Sequence, residues 1–275
     1  MRRSVELSVV GVLAGLFLWL APLIAQEAAV VPRPGASATE AESAKVWVGR
    51  YEEYEQYLRE AEIVRTRDIG LGVTKPQRAW FAEGGLAESA AWKAIVPSRR
   101  TGFLESYKSE IAAYRLDRLL GLDMVPVAVE RRFRGSLGAI ILWVGPTRMW
   151  TDAKTSPPAG VTWARDIVRM KMFDALAGNI DRNAGNMLID AQNRLILIDH
   201  SRAFVTKGDL PVEIEHVDRE LWTNFQALDE ATIRTHLGEW LSNDQVRFML
   251  SRLARLGKEI DALVARRGEH AVFMR

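Results

Sequence analysis

The feature that most restricts the fold of this 275-residue chain is a series of short segments in its middle. Residues 163–178 have the apolar spacing of an α-helix and end in glycine. The polar stretch 179–186 follows, and after it come two apolar runs, 187–189 and 195–198, with a polar turn between them. Asp199 stands directly after the second run. The pattern predicts a helix, a polar loop and a hairpin that returns Asp199 to the side of the loop.

The side chains of this series that offer oxygen atoms include Asp181, Asn186 and Asp199. Asn186 is the fifth residue after Asp181 (186 − 181), an interval typical of a phosphotransferase catalytic loop. Phosphoryl transfer from ATP needs a carboxylate beside the attacking hydroxyl and hard oxygen ligands for divalent metals. Alone, each acid has an ordinary structural explanation as a turn residue or a surface ion pair. Their order along the chain predicts Asp181 as the catalytic carboxylate, with Asn186 and Asp199 as ligands of Mg or Mn.

A lysine lies within an apolar segment that is predicted to form a strand. Lys93 lies inside the apolar run 90–96, where a buried ammonium is costly unless it is paired. Glu110 follows on the next predicted helix and is the expected partner, since a strand lysine that binds the α- and β-phosphates of ATP pairs with a helix glutamate. The alternative is an edge-strand lysine that extends to solvent.

Two glycines and a short apolar segment complete the predicted nucleotide site. Gly70 and Gly72 precede the Lys93 strand, where glycine lets backbone amides approach phosphates. Residues Trp143, Val144 and Gly145 follow another predicted strand, and we expect adenine to bind there.

The order of elements predicts an α+β class, a bilobal protein-kinase-like fold with a β-rich N-lobe and a helical C-lobe. Apolar runs around the turn at Gly84 and Gly85 indicate strands, and Gly121 ends a helix. The predicted elements of the N-lobe are strands at 69–73, 78–82 and 90–96, a helix at 104–120, and strands at 125–129 and 138–144. A loop at 145–160 divides a kinase-like domain, 45–275, into an N-lobe of about 45–145 and a C-lobe of about 146–275.

From Glu215 to the end the pattern is helical. One apolar stripe near the end consists of Val246, Leu250, Leu253, Ile260 and Val264. The basic residues Arg252, Arg255, Lys258, Arg266 and Arg267 lie mostly off this stripe. We interpret them as a solvated surface.

The amino terminus predicts export from the cytoplasm. Arg2 and Arg3 precede an apolar run at 7–25, which indicates a signal peptide or an uncleaved membrane anchor in residues 1–25. Residues 26–44 are rich in Ala, Glu and Pro and predict a linker, and a helix is expected at 43–62. Because basic flanks stay in the cytoplasm, the main domain is expected outside it, as a periplasmic, secreted, lumenal or membrane-anchored protein.

Composition excludes several other classes. The chain has no cysteine, so disulfides, thiolate metal sites and cysteine nucleophiles are excluded. A net charge of +2 without a basic patch gives no support for nucleic-acid binding. The hydrophobic fraction of 48% is that of a globular protein.

At these residues the sequence resembles the secretory-pathway kinases, the group that contains the Golgi casein kinase, the Golgi xylose kinase and four-jointed. The resemblance lies in the residues 110–126, 173–183 and 198–204, the last reading Ile-Asp-His-Ser-Arg-Ala-Phe. The catalytic segment from Asp181 to Asn186 is also similar to that of phosphatidylinositol kinases. Together the similarity covers roughly residues 68–204.

The resemblance implies an ATP-dependent kinase that phosphorylates a hydroxyl on a protein, glycan, lipid or small molecule with Mg or Mn. It implies a catalytic role for Asp181, metal binding by Asn186 and Asp199, and phosphate positioning by Lys93 with Glu110. Asn183 replaces the histidine usual in both groups. That replacement and the expected export motivate an alternative, a pseudokinase that binds nucleotide or a protein without catalysis. A third possibility is transfer of AMP instead of phosphate.

Overall fold

The first half of the molecule is built on an antiparallel sheet. A computed structural model of the chain describes residues 43–70, 76–97, 104–153 and 158–274. Five strands lie side by side in the order β1-β2-β3-β5-β4. Their bounds are β1 Ile63–Asp68, β2 Gln77–Phe81, β3 Ser89–Lys93, β4 Ala128–Phe133 and β5 Ser136–Leu142. The predicted sequence of three strands, a helix and two strands is therefore confirmed.

The boundaries of these strands differ from the sequence prediction. The strand expected at 69–73 is wrong, because β1 ends at Asp68 and Ile69 already belongs to the connection to β2. Only Ile63 and Val64, at the start of β1, are apolar, and the rest of the strand is charged or polar and mostly exposed. An edge strand next to solvent does not need the apolar pattern that identifies an inner strand.

The helix between β3 and β4 begins three residues later than predicted (107 − 104) and ends where Gly121 predicts its end. The helix α2 spans Tyr107–Leu120, and the side chain of Ser106 caps its start by accepting a hydrogen bond from the Lys108 amide. Gly121 ends it with a left-handed φ of 63°, which glycine adopts without strain. Within α2, Glu110 is buried and faces the sheet side of the site.

A shorter helix precedes the sheet and holds α2 from outside. The predicted helix at 43–62 is wrong in its first third, because α1 spans Tyr51–Glu60 and residues 46–49 form a turn. Gly49 has a φ of 78° there, a conformation that interrupts a helix. The buried Glu55 of α1 accepts hydrogen bonds from Tyr114 at 2.8 Å and Arg115 at 2.9 Å on α2.

The second half is mainly helical, as predicted. Its long helices are α4 Val161–Ala177 and α7 Asn243–Arg267, and they contact each other in the core. Shorter helices are α3 Trp150–Ala153, α5 Arg219–Gln226, α6 Glu230–Leu237 and α8 Glu269–Val272. The strands of this half are β6 Thr147–Met149, β7 Met187–Asp190, β8 Leu195–Leu197, β9 Val217–Asp218 and β10 Phe273–Met274. The loop expected at 145–160 therefore contains β6 and α3, and β6 pairs with β7.

One basic residue of α7 is not on the surface, contrary to the sequence interpretation. Arg252 is fully buried, and its guanidinium donates to the carbonyl oxygens of Leu176 at 3.0 Å, Val205 at 2.8 Å and Lys207 at 2.7 Å. Backbone carbonyls left without partners by two chain segments thus make an interior position suitable for arginine. Burial lowers the pKa of Arg252 to about 10, so the side chain stays charged near neutral pH.

The predicted amino-terminal segments, residues 1–25 and most of 26–44, lie outside the described residues. Within the described ranges, none of the helices combines the length and apolarity needed to cross a lipid bilayer.

Candidate active site

The centre of the site is a buried lysine held by two carboxylates. Lys93, the last residue of β3, donates to Glu110 Oε1 at 2.6 Å and to Asp199 Oδ1 at 2.8 Å. The pairing of Lys93 with Glu110 expected from the sequence is present. The side chains of Lys93 and Glu110 are only 9% and 3% exposed, whereas that of Asp199 is 36% exposed. One end of the triad is therefore sealed in the core, and the other faces the solvent.

Burial and charge act in opposite directions on these three groups. Burial alone would lower the pKa of Lys93, but the charges of Glu110 and Asp199 raise it above its ordinary value. Burial likewise favours a neutral Asp199, yet the Lys93 ammonium holds the pKa of that carboxyl below its usual range. For Glu110 the effect of burial is larger than the opposing effect of the Lys93 charge, and the pKa is raised because the side chain is almost wholly buried. The site thus keeps a cation and an accessible anion side by side at neutral pH.

The polar loop after α4 places Asp181 and Asn186 next to Asp199. Asn186 Nδ2 donates to the backbone oxygen of Asp181 at 3.0 Å. The amide of Ile198, which precedes Asp199, donates to the backbone oxygen of Asn186 at 3.1 Å. Asn183 closes the loop by accepting from the Gly185 amide at 2.9 Å. The structure therefore brings together five of the predicted site residues: Lys93, Glu110, Asp181, Asn186 and Asp199.

Arg182 holds this loop in place, and sequence reasoning missed it. Its guanidinium makes a two-pronged ion pair with the buried Asp174 of α4, at 2.8 and 3.0 Å. It also donates to the backbone oxygens of Asn186 at 2.8 Å and Ile198 at 3.0 Å. This side chain thus ties the loop to the strand that ends before Asp199. The signal that could have found it is Asp174, an acid among apolar residues of a helix.

His200 has a structural role in this arrangement. The ring is 1% exposed and packs edge-on against Phe173. Burial, together with the charge of Arg182, lowers the pKa of His200 well below its ordinary value, so the ring is neutral. Arg182 lies 2.8 Å from Nε2, and because arginine only donates, that nitrogen is the acceptor. The backbone amide of His200 donates to Glu110 Oε2 at 2.9 Å.

The segment after Asp199 has an unusual backbone that is fixed at several points. Asp199 and Phe204 have left-handed φ values of 59° and 60°, which cost energy for residues other than glycine. The amide of Ser106 donates to the Ser201 oxygen at 3.0 Å, and the amide of Phe204 donates to the Ala177 oxygen at 2.7 Å. These contacts direct the Asp199 carboxylate towards Lys93.

The predicted adenine-binding residues lie directly after β5. Trp143 is 39% exposed, whereas Val144 is buried. Together with Gly145 they line a groove of about 410 Å³ that also includes Arg78 and Ser89. The Arg78 guanidinium lies 4.4 Å from the centre of the Trp143 ring, and its Nε donates to Ser89 Oγ at 3.0 Å. A flat aromatic and a flat cation are thus available to a planar ligand at this position.

The two glycines that were predicted to bind phosphate are Gly70 and Gly72. Gly70 follows β1 with a φ of 72°, and an added Cβ would meet no atom within 4 Å. The hydrogen bond from the Ile69 amide to the Pro76 oxygen, at 2.9 Å, closes the connection in which Gly70 lies. Gly72 lies outside the described residues. Their binding of phosphate stays a prediction.

The donor atoms fit a divalent metal that is bound together with phosphates. Asp199 offers an accessible carboxylate, and Asn186 has its amide oxygen left for a cation because its nitrogen donates to Asp181. The described part of the chain contains no cluster of three or more acidic or histidine side chains that could hold a metal by themselves. In phosphotransferases, magnesium is held by one or two carboxylates together with the substrate phosphates, so a larger cluster of acidic side chains is not required.

These features define a protein-kinase-like fold. The chain is similar to hydra Fam20 solved with sugar, at 14% identity and a TM-score of 0.61, over 82% of this chain and 92% of that one. It is equally similar to the Golgi casein kinase solved with Mn and ADP, at 15% identity and a TM-score of 0.61, over 82% and 78% of the two chains. The resemblance to secretory-pathway kinases is therefore confirmed at the level of the fold. Neither a protein-family model nor a curated protein sequence matches the chain.

Proposed function

We propose that this protein is an ATP-dependent kinase that transfers the γ-phosphoryl group to a hydroxyl acceptor. The observation that carries the proposal is the Lys93 ammonium held between a sealed Glu110 and an accessible Asp199. A buried cation with two anions is costly to maintain as a purely structural device. It is useful where phosphates and a metal enter from the Asp199 side.

In this mechanism Glu110 orients the Lys93 ammonium towards the α- and β-phosphates. Asp199 and Asn186 would hold Mg or Mn, which neutralises the phosphate charge when it is bound. The Lys93–Asp199 contact then loosens, and Lys93 remains paired with Glu110. Because Glu110 is buried and paired on both oxygens, the lysine keeps its position through this exchange.

The transfer itself exchanges one phosphorus–oxygen bond for another. The bond from the γ-phosphorus to the oxygen that bridges it to the β-phosphate breaks, and its electron pair leaves with ADP. A new bond forms to the acceptor hydroxyl oxygen, and the hydroxyl proton passes to Asp181. The Asp181 side chain is 39% exposed, as an acceptor-facing carboxylate must be. In a loose transition state this residue mainly orients the hydroxyl, so a strongly basic carboxylate is not needed.

The experiment is thermal unfolding of the protein with and without ATP plus Mg or Mn, followed by a phosphoryl-transfer assay against protein, sugar and lipid hydroxyls. A ligand at a hundred times its dissociation constant stabilises by about 2.7 kcal/mol, which gives a visible shift. We expect the shift to require metal and to disappear in Asp199→Ala. The exposed Asp261→Ala on α7 is the matched control and keeps the shift.

The outcomes separate the alternatives. A metal-dependent shift with added phosphate on an acceptor supports the kinase. A shift without transfer to any acceptor favours the pseudokinase, and an added AMP mass favours AMP transfer. No shift in the wild-type protein at millimolar nucleotide contradicts the proposed site.

We also propose that the domain acts outside the cytoplasm, on the basis of Arg2, Arg3 and the apolar run at 7–25. Fusion of alkaline phosphatase to the carboxyl end tests this, because that enzyme is active only after export. An inactive fusion in cells that export a control fusion would contradict it.

A further inference from the structure

A second arginine lies where Asp181 and the segment after Asp199 meet. Arg202 Nη1 donates to Asp181 Oδ2 at 3.2 Å, and its Nε donates to Glu105 Oε1 at 2.5 Å. Its side chain is 22% exposed and that of Glu105 is 11% exposed. The arginine is therefore anchored on one side by a mostly buried acid and reaches the open catalytic carboxylate on the other.

The position of Arg202 coincides with the path of the transferred group. In the proposed function, the phosphates approach from Asp199 and the acceptor hydroxyl from Asp181. The γ-phosphoryl group passes between these two carboxylates. Arg202 follows Asp199 by three residues (202 − 199) and contacts Asp181, so it lies beside that path.

The backbone around Arg202 is fixed by hydrogen bonds within the chain. Ser201 accepts from the Ser106 amide at 3.0 Å, and the Ala203 amide donates to the His200 oxygen at 2.9 Å. Glu105 stands next to Ser106, so the same segment that fixes the backbone also supplies the anchor for the guanidinium. A preorganised cation stabilises developing charge more than one that must first move into place.

We propose that Arg202 binds the transferred γ-phosphoryl group while it retains Glu105 as an anchor. This inference rests on the proposed function. A guanidinium presents five donors in one plane, a geometry that suits phosphate oxygens and allows contact with Asp181 at the same time. As the bond to the β–γ bridging oxygen breaks, Arg202 stabilises the negative charge on the γ-phosphoryl oxygens, as an arginine supplied within the same chain does in other phosphotransferases.

A purely structural role would leave a different signature. If Arg202 only tied residues 199–204 to the start of α2, its loss would lower stability and weaken all nucleotides equally. A phosphoryl-binding residue instead distinguishes ligands that have a γ-group from those that do not. The ratio of two affinities in one protein therefore separates the two roles.

The test compares ADP with ADP plus aluminium fluoride, a mimic of the transferred group, in the full chain with Mg. Binding is measured by calorimetry for wild type, Arg202→Met and Arg202→Lys. Arg255→Met on α7 is the matched control, since Arg255 is 50% exposed and pairs only with Asp209 among the described contacts. Thermal unfolding without ligand checks that each variant folds.

We expect Arg202→Met to bind ADP at the wild-type level but to lose roughly tenfold to a hundredfold of the added affinity for the fluoride complex. Arg202→Lys recovers part of it, because a point charge replaces the planar fork. Metal-dependent ATP turnover falls by about a thousandfold in Arg202→Met. An unchanged ratio between the two affinities overturns the role of Arg202 and leaves the proposed kinase intact. No binding of ADP by the wild-type protein overturns both.

Discussion

Two buried cations of this protein, Lys93 and Arg252, show how differently an interior charge is accommodated. Lys93 is neutralised by carboxylates on α2 and after β8, and one of these is open to solvent. Arg252 is surrounded by backbone oxygens and is fully buried. A carbonyl cannot be exchanged for a ligand without unfolding a segment, but the open carboxylate of Asp199 can exchange its partner. Under the proposed function, Lys93 is the cation that can take up a ligand, and Arg252 is a cation with structural support alone.

The largest effect is expected from removing Lys93, the cation that pairs with the open carboxylate of Asp199. Lys93→Met leaves Glu110 buried without its partner, which costs about 3–5 kcal/mol of the free energy of unfolding. Nucleotide binding and transfer are lost as well, because the phosphates lose their cation. Urea denaturation and the ATP-dependent thermal shift measure the two losses. The double variant Lys93→Met/Glu110→Gln is the control, and we expect it to regain stability without regaining the shift. If binding returned together with stability, Lys93 would have no specific role towards the nucleotide.

Replacement of Arg252, the second cation, is expected to lower stability without changing ATP binding. Arg252→Met removes donors from the oxygens of Leu176, Val205 and Lys207 and lowers the free energy of unfolding by roughly 2–4 kcal/mol. The protein that remains folded binds ATP at the wild-type level, since Arg252 makes no described contact with Lys93, Asp181 or Asp199. Urea denaturation of Arg252→Met beside the exposed Arg255→Met measures the difference. A selective loss of ATP affinity in the folded fraction would contradict a purely structural role for Arg252.

The smallest effect is the acid dependence of Asp199. Its pKa in the folded protein lies below the ordinary value, so its ionised form stabilises the fold above the unfolded-state pKa. That contribution is lost as the pH falls through the lowered folded-state pKa. We therefore expect the difference in unfolding free energy between wild type and Asp199→Asn to shrink from pH 5 towards pH 2. Denaturant titrations at several pH values check this, and a difference that grew on acidification would contradict the ion pair with Lys93.

Local signals in the sequence were sufficient for the elements with clear ends. Gly121 marked the end of α2, and the interval from Asp181 to Asn186 identified the loop. The edge strand β1 was placed too late, because its charged residues face solvent and carry no apolar pattern. The surroundings of Arg182 and Arg252 were not predicted, for the converse reason. Arg182 and Arg252 look like surface residues until the folded chain shows which carbonyls and acids surround them.

The sequence by itself determined the order of elements, the class of fold and the identity of the five polar residues that meet at the site. Short-range rules suffice for these, since helix caps, strand patterns and residue intervals act within a few positions. Only the tertiary structure decided that Lys93, besides its predicted partner Glu110, also pairs with Asp199, which lies 106 residues away along the chain. It also decided that Arg202 reaches Asp181, at a separation of 21 residues. Contacts of this kind depend on packing between distant segments, and the burial that makes them strong arises only when those segments come together.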